Sequence, residues 1–208
     1  MSSYLFPLYS LVCMLLPCII WRLLLRLRSS RPFRSTAVQR IWIVLFLLYL
    51  WQVFDVTGIG TLADMMNKPE GTLNTSLLQG AINLIPFRHL NLGFVLNIIL
   101  CAPLGFLLPL LWRGYRRLGY TALAGFLLSA AIECSQLFNT RTTDVDDLIA
   151  NTLGAVVGYL IWKLFCRVAG ERLKAAKPGR SEAALYMLLS FLGTFFLYNW
   201  WWFSRQFG

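Results

Sequence analysis

The sequence predicts an all-α fold, a polytopic transmembrane bundle of about six helices with both termini extracytoplasmic. Three observations carry that expectation. Of 208 residues, 58% are hydrophobic and 13% charged, with a mean hydropathy of +0.62; soluble domains run about 45–50% apolar and about 25% charged. Apolar runs of the length needed to cross a bilayer, about 20 residues, recur along the chain. The basic residues gather in the short stretches between alternate runs. A net charge of +10 spread in this way reads as a topology signal and argues against a nucleic-acid partner.

The first span, roughly 4–25, follows "MSS" with no basic n-region, so it is expected to stay as a span and not to be cleaved as a signal peptide. The stretch after it carries Arg26, Arg28, Arg31, Arg34 and Arg40. The second span is expected at 41–60 and the third at 91–112, the latter followed by Arg113, Arg116 and Arg117. The fourth, at 119–138, and the fifth, at 148–166, are interrupted near one end by Glu133, Gln136 and Asn151. After the fifth come Arg167, Arg172, Lys174, Lys177 and Arg180, and the last span is expected at 183–203, its "FFLYNWWWF" serving as an interfacial aromatic belt.

With Arg22 and Lys163 added, 15 of the 19 basic residues fall on one side, which assigns that side to the cytoplasm. Lys68, Arg88, Arg141 and Arg205 fall on the other. The acids are biased the opposite way: Asp55, Asp64, Glu70, Glu133, Asp144, Asp146 and Asp147 lie outside or in the outer part of a span, against Glu171 and Glu182 inside. Acids contribute little to topology, so this bias needs its own explanation.

Helical spacing organises the outer polar residues. Asp144, Asp147, Asn151, Gly154 and Gly158 follow at steps of three and four, which keeps them on one helix face. That face is polar at its outer end and ends in Gly154-x-x-x-Gly158, which lets a neighbouring helix approach closely. Asp146 points elsewhere, and Thr143-x-x-Asp146 fits a capping box. In the fourth span Gly125, Ser129, Glu133, Gln136 and Thr140 repeat the pattern. Glu133 sits roughly 7–8 Å below the outer end at 1.5 Å per residue. Intramembrane acids face a bundle interior or a watery cavity, because an ionised acid in lipid costs several kcal/mol.

The third span adds Asn97, with Cys101 and Gly105 below it, and Pro103, expected to kink the helix and free a carbonyl. Before it, "NLIPFRHL" supplies Asn83, Pro86, Arg88 and His89 at the outer surface, and Pro86 is expected, with Pro103, Gly105, Gly125, Gly154 and Gly158, to serve helix packing. Arg88 and Arg141 are the nearby cations for Glu133 and the Asp144/Asp147 pair. These residues together predict an outward-facing polar cleft walled by spans three, four and five. Cys13, Cys18, Cys101, Cys134 and Cys166 form no Cys-x-x-Cys pair, and a lone His89 completes no zinc set, so neither a disulfide framework nor a metal site nor a cofactor is expected.

"NLIPFR" (83–88), "NIILCAPLGFLLPLL" (97–111), Glu133-x-x-Gln136 and "RTTDVDDLIANTLGAVVGY" (141–159) resemble, in that order, the motifs of the VanZ-like membrane proteins. The resemblance spans about 41–165 within a single transmembrane domain, with extra helices at 4–25 and 183–203. It implies a bacterial inner-membrane protein of the cell envelope, linked through the family's name-giving member to the glycopeptide teicoplanin. By motif it carries over Asn83, Pro86, Arg88, Asn97, Pro103, Gly105, Glu133, Gln136, Arg141, Asp144, Asp146, Asp147, Asn151 and Gly154.

The leading functional expectation is a cleft that binds an amphiphilic or lipid-linked molecule among membrane lipids. A small transporter or flippase using Glu133 as proton carrier is the second reading, although the sequence shows no inverted repeat. An intramembrane acid/base enzyme acting on lipids, with Glu133 and Asp147 as its pair, is the third; no Gly-x-Ser-x-Gly, His-Glu-x-x-His or Cys–His arrangement supports it. The oligomeric state is left open.

Overall fold

A computed structural model describes residues 5–28, 36–66, 82–87, 91–139, 141–169 and 180–198. Helix α1 spans Leu5–Arg28, α2 Ala37–Thr57, a one-turn α3 Leu62–Met66, α4 Leu92–Leu111, α5 Leu118–Gln136, α6 Val145–Ala169 and α7 Ser181–Leu197. Five of these regions are long and apolar enough to cross a membrane: Phe6–Arg28, Ala37–Met66, Leu92–Leu111, Leu118–Gln136 and Val145–Val168. The last helix is apolar but only 17 residues long, shorter than the expected 183–203. Residues 199–208 lie outside the described part of the chain.

Capping chemistry explains several boundaries. Thr36 Oγ1 accepts from Gln39 N while Gln39 Oε1 accepts from Thr36 N, a closed capping box that starts α2 four residues before the apolar run. The same helix stops at Thr57 because Gly58 adopts φ +59°, the left-handed conformation that satisfies a helix C-terminus. Asn91 Oδ1 accepts from Phe94 N and opens α4, which continues through both Pro103 and Pro109. Tyr49 on α2 donates its hydroxyl to the Leu100 carbonyl at 2.8 Å, one position beyond the Ile99 carbonyl that Pro103 leaves without its usual helical donor.

Side-chain bonds fix the relative directions. Tyr9 donates to the Leu197 carbonyl at 2.9 Å while Arg22 pairs with Glu182 at 3.1 Å, so α1 and α7 are antiparallel. Trp51 Nε1 donates to Ser10 Oγ at 2.8 Å, which makes α2 antiparallel to α1. The central pair is α4 and α6, which run parallel with α5 antiparallel beside them. This alternation brings Arg26, Arg28, Arg40, Arg113, Arg116, Arg117, Arg167 and Arg180 to one end, the basic end. Asp55, Asp64, Asp144, Asp146 and Asp147 lie at the other, the acidic end.

The core is aliphatic and aromatic and runs from Trp112 and Tyr115 at the basic end to Val53, Phe54, Ile59 and Ile132 toward the acidic end. Phe46, Leu50, Leu104, Leu108 and Trp112 are fully buried, with Phe46 edge-on to Trp112 at 5.2 Å between ring centres. Glu182 accepts from Trp112 Nε1 at 3.1 Å as well as from Arg22, tying three elements together where a lone acid would be costly. Outside, Leu24, Ile41, Ile99, Leu127, Leu160 and Leu164 are exposed along the helices. An apolar exterior of this extent needs lipid, not water, as its solvent.

Candidate functional site

The acidic end is assembled on a very close helix contact. A Cβ on Gly105 would overlap the Ala155 carbonyl, one on Gly154 the Ile98 carbonyl, and one on Gly158 the Ala102 carbonyl. The absence of side chains at these three positions is what lets α4 and α6 touch backbone to backbone. Gly125 of α5 lies against the Ala155 methyl, completing the three-helix contact.

Above this contact the polar side chains bind one another across helices. Asn151 is fully enclosed: its Nδ2 donates to Ser129 Oγ at 3.0 Å and its Oδ1 accepts from Cys101 Sγ at 3.2 Å. One turn outward, Asn97 Nδ2 donates to Asp147 Oδ1 at 2.6 Å. All three bonds join residues of facing helices, and interhelical bonds in membrane bundles contribute about 0.6 to 1.7 kcal/mol. Asn151→Ala removes two such bonds and strands Ser129, so a loss of about 1–2 kcal/mol is expected in denaturation of the purified protein in detergent. An unchanged midpoint would show that Asn151 only fills space.

The rim is built by a two-residue parallel pairing that sequence periodicity does not reveal. Strand β1 (Ile82–Asn83) lies beside β2 (Thr143–Asp144), with Ile82 opposite Thr143 and Asn83 opposite Asp144. Asn83 Nδ2 donates to Asp144 Oδ2 at 3.1 Å, and Asp144 Oδ1 accepts from Asp146 N at 2.9 Å. The backbone N–H of Asp144 in turn donates to Glu133 Oε2 at 3.0 Å. Glu133 is 6% exposed and Gln136 5%, whereas Asn83, Asn97, Asp144 and Asp147 are half-buried around them.

Three expectations are corrected by this geometry. Asp146 does not close a capping box: Thr143 donates its hydroxyl to the Glu133 carbonyl, and Asp146, 2% exposed, accepts from Phe87 N at 2.5 Å. That bond holds Phe87 at φ +62°, a conformation that costs a bulky residue about 1–3 kcal/mol. Pro86 is not a helix-packing residue; it stands exposed in the turn before Phe87. Arg141 does not pair with the acids: its guanidinium donates to the Thr57 carbonyl at 2.7 Å and covers Gly58. The orphan carbonyls at the end of α2 attract it, and Gln136 Nε2 and Asn139 Nδ2 join it there at 2.8 and 3.1 Å.

The polar residues of α4, α5 and α6 bond one another across the helices and carry a half-buried rim. Two cavities of about 400 Å³ lie away from these residues, one between α5 and α7 and one between α1 and α2. Arg88 and His89 lie outside the described residues. Ser135 and Asn139 are contributors that the sequence reading missed: Ser135 Oγ accepts from Gly60 N at 3.1 Å. The glycines of "TGIGT" (57–61) were the available signal, since a Cβ on Gly60 would overlap the Ser135 carbonyl.

Chemically the cluster is rich in acceptors. Glu133 and Asp147 each use one oxygen toward a neutral donor, and their other oxygens meet no donor among the described residues. Gln136 Oε1 is buried with no hydrogen-bond partner. Among the described residues no three His, Cys, Asp or Glu side chains converge as a metal site would require.

A family model described as VanZ/LLP1 matches residues 14–166, from within α1 to the last turns of α6. No curated relative and no solved structure matches the chain.

Proposed function

The chain belongs to the VanZ/LLP1 family of multi-pass membrane proteins, and from that premise we propose that its acidic end binds the amine- or hydroxyl-bearing head of an amphiphilic or lipid-linked envelope molecule. The observation that carries this reading is the set of unused acceptors: the second oxygens of Glu133 and Asp147 and the buried Gln136 Oε1. Acceptors left bare at the edge of an apolar bundle are costly, and a ligand that donates hydrogen bonds removes the cost. The apolar faces flanking the rim suit the tail of such a ligand.

The protein sits in this reading in the bacterial inner membrane, with the basic end in the cytoplasm and the acidic end outside. The gathering of 15 of the 19 basic residues in or beside alternate connections of the sequence supports that orientation. It gives the site access to envelope precursors and to glycopeptides such as teicoplanin. The transporter reading finds less support, because the large apolar side chains of Phe46, Leu104, Leu108 and Trp112 are fully buried in the basic half of the bundle.

Glu133→Gln tests the proposal in cells. The amide oxygen can still accept from Asp144 N, so insertion and abundance should be retained while the charge is lost. The expected result is a change in glycopeptide susceptibility or envelope stress matching that of a deletion. A variant of normal abundance that behaves as wild type would remove Glu133 from the function.

A further inference from the structure

A second feature of the bundle, independent of the carboxylate cluster, is a groove at the basic end. Helices α1 and α2 are joined near the acidic end by the bond from Trp51 to Ser10. Toward the basic end they part, and with Tyr186 of α7 they bound a groove of about 400 Å³. Its walls include Ile19, Val44 and Leu48, all exposed to the bilayer side. Its lining at the basic end is Arg22, Arg26 and Arg40.

The three arginines are not equivalent. Arg22 is partly neutralised by Glu182 at 3.1 Å. Arg26 and Arg40 are exposed, and among the described residues no carboxylate pairs with either. Two guanidinium groups that share a groove repel one another until an anion joins them, and a planar guanidinium binds phosphate oxygens in pairs. Free inorganic anions gain nothing from the aliphatic walls, and a zwitterionic lipid carries its own cation, which offsets the attraction of its phosphate to the arginines. Only a molecule with both parts uses the whole groove.

We propose that this groove is a binding site for an anionic phospholipid, with an acyl chain between α1 and α2 and the phosphate against Arg26 and Arg40. Basic pockets between transmembrane helices bind anionic headgroups on the same physical grounds. The lipid also covers the apolar walls where the two helices part, so it acts as a wedge that keeps α1 at its angle to α2.

Native mass spectrometry of the full chain from nanodiscs of equal phosphatidylglycerol and phosphatidylcholine tests the site. The wild type is expected to retain phosphatidylglycerol in preference to phosphatidylcholine. The double variant Arg26→Gln/Arg40→Gln should reduce that preference about thirtyfold, since each of the two basic residues near a headgroup contributes on the order of 1 kcal/mol. Val44→Trp, which fills the groove and leaves the charges in place, should lose retention as well, and millimolar inorganic phosphate should not displace the lipid. Both arginines are exposed, so the double variant is expected to keep the wild-type elution volume in detergent. Equal preference in the double variant overturns the proposal. Retention unchanged by Val44→Trp, or displacement by inorganic phosphate, places the anion on a basic surface and overturns the groove. A wild type that retains neither lipid overturns the site altogether.

Discussion

Gly158→Ala is expected to destabilise the folded protein by about 2–3 kcal/mol, the upper part of the range for forcing extra volume into a packed interior. Ordinarily alanine stabilises a helix relative to glycine by about 1 kcal/mol, so the sign itself is diagnostic. The reason lies in what the new methyl meets. It would overlap the Ala102 carbonyl and approach Phe106 N at 2.9 Å, both of them backbone atoms of α4 that cannot turn aside as a side chain would. The same contact carries Gly105 against Ala155 and Gly154 against Ile98, so moving α4 away to admit one methyl loosens the whole seam. Gly119→Ala supplies the control, since a Cβ there meets nothing within 4 Å. Detergent-denaturation midpoints for the two variants should move in opposite directions. Equal midpoints would show that α4 and α6 do not rely on backbone contact.

The seam was legible in the sequence because helix periodicity is a strong signal over long segments. Steps of three and four placed Asp147, Asn151, Gly154 and Gly158 together, and the structure finds each of them facing α4 or α5. The parts that were not legible lie where the helices end. The pairing of Ile82–Asn83 with Thr143–Asp144 is too short to show any period, and its two strands are 61 positions apart. At the head of α6 the direction of a carboxylate depends on which backbone donors the tertiary fold brings near. Asp146 finds Phe87 N there, which no spacing rule foresees. Arg141 was read by charge as a partner for acids, but its guanidinium goes to the helix-end carbonyl of Thr57, beside Asn139 on that of Gly58.

Asp147→Asn is expected to weaken binding of an amine-headed amphiphile about tenfold to a hundredfold without unfolding the protein. The substitution isolates charge, since an asparagine oxygen can still accept the bond from Asn97 Nδ2 that now goes to Asp147 Oδ1. What it removes is the anionic acceptor on the half-buried rim, beside Glu133 and Asp144. A hydrogen bond to a charged group is worth about 1.5–3 kcal/mol, which sets the size of the effect. Dodecylamine is a suitable probe because it joins a cationic donor head to an aliphatic tail, and dodecyl sulfate of the same length reverses the charge. Titration of both into the full-length protein in zwitterionic nanodiscs, with empty discs subtracted, measures the central claim directly. The account predicts saturable dodecylamine binding by the wild type, its loss in Asp147→Asn, and no corresponding change for dodecyl sulfate. Dodecylamine binding of equal strength in the wild type and in Asp147→Asn would contradict it.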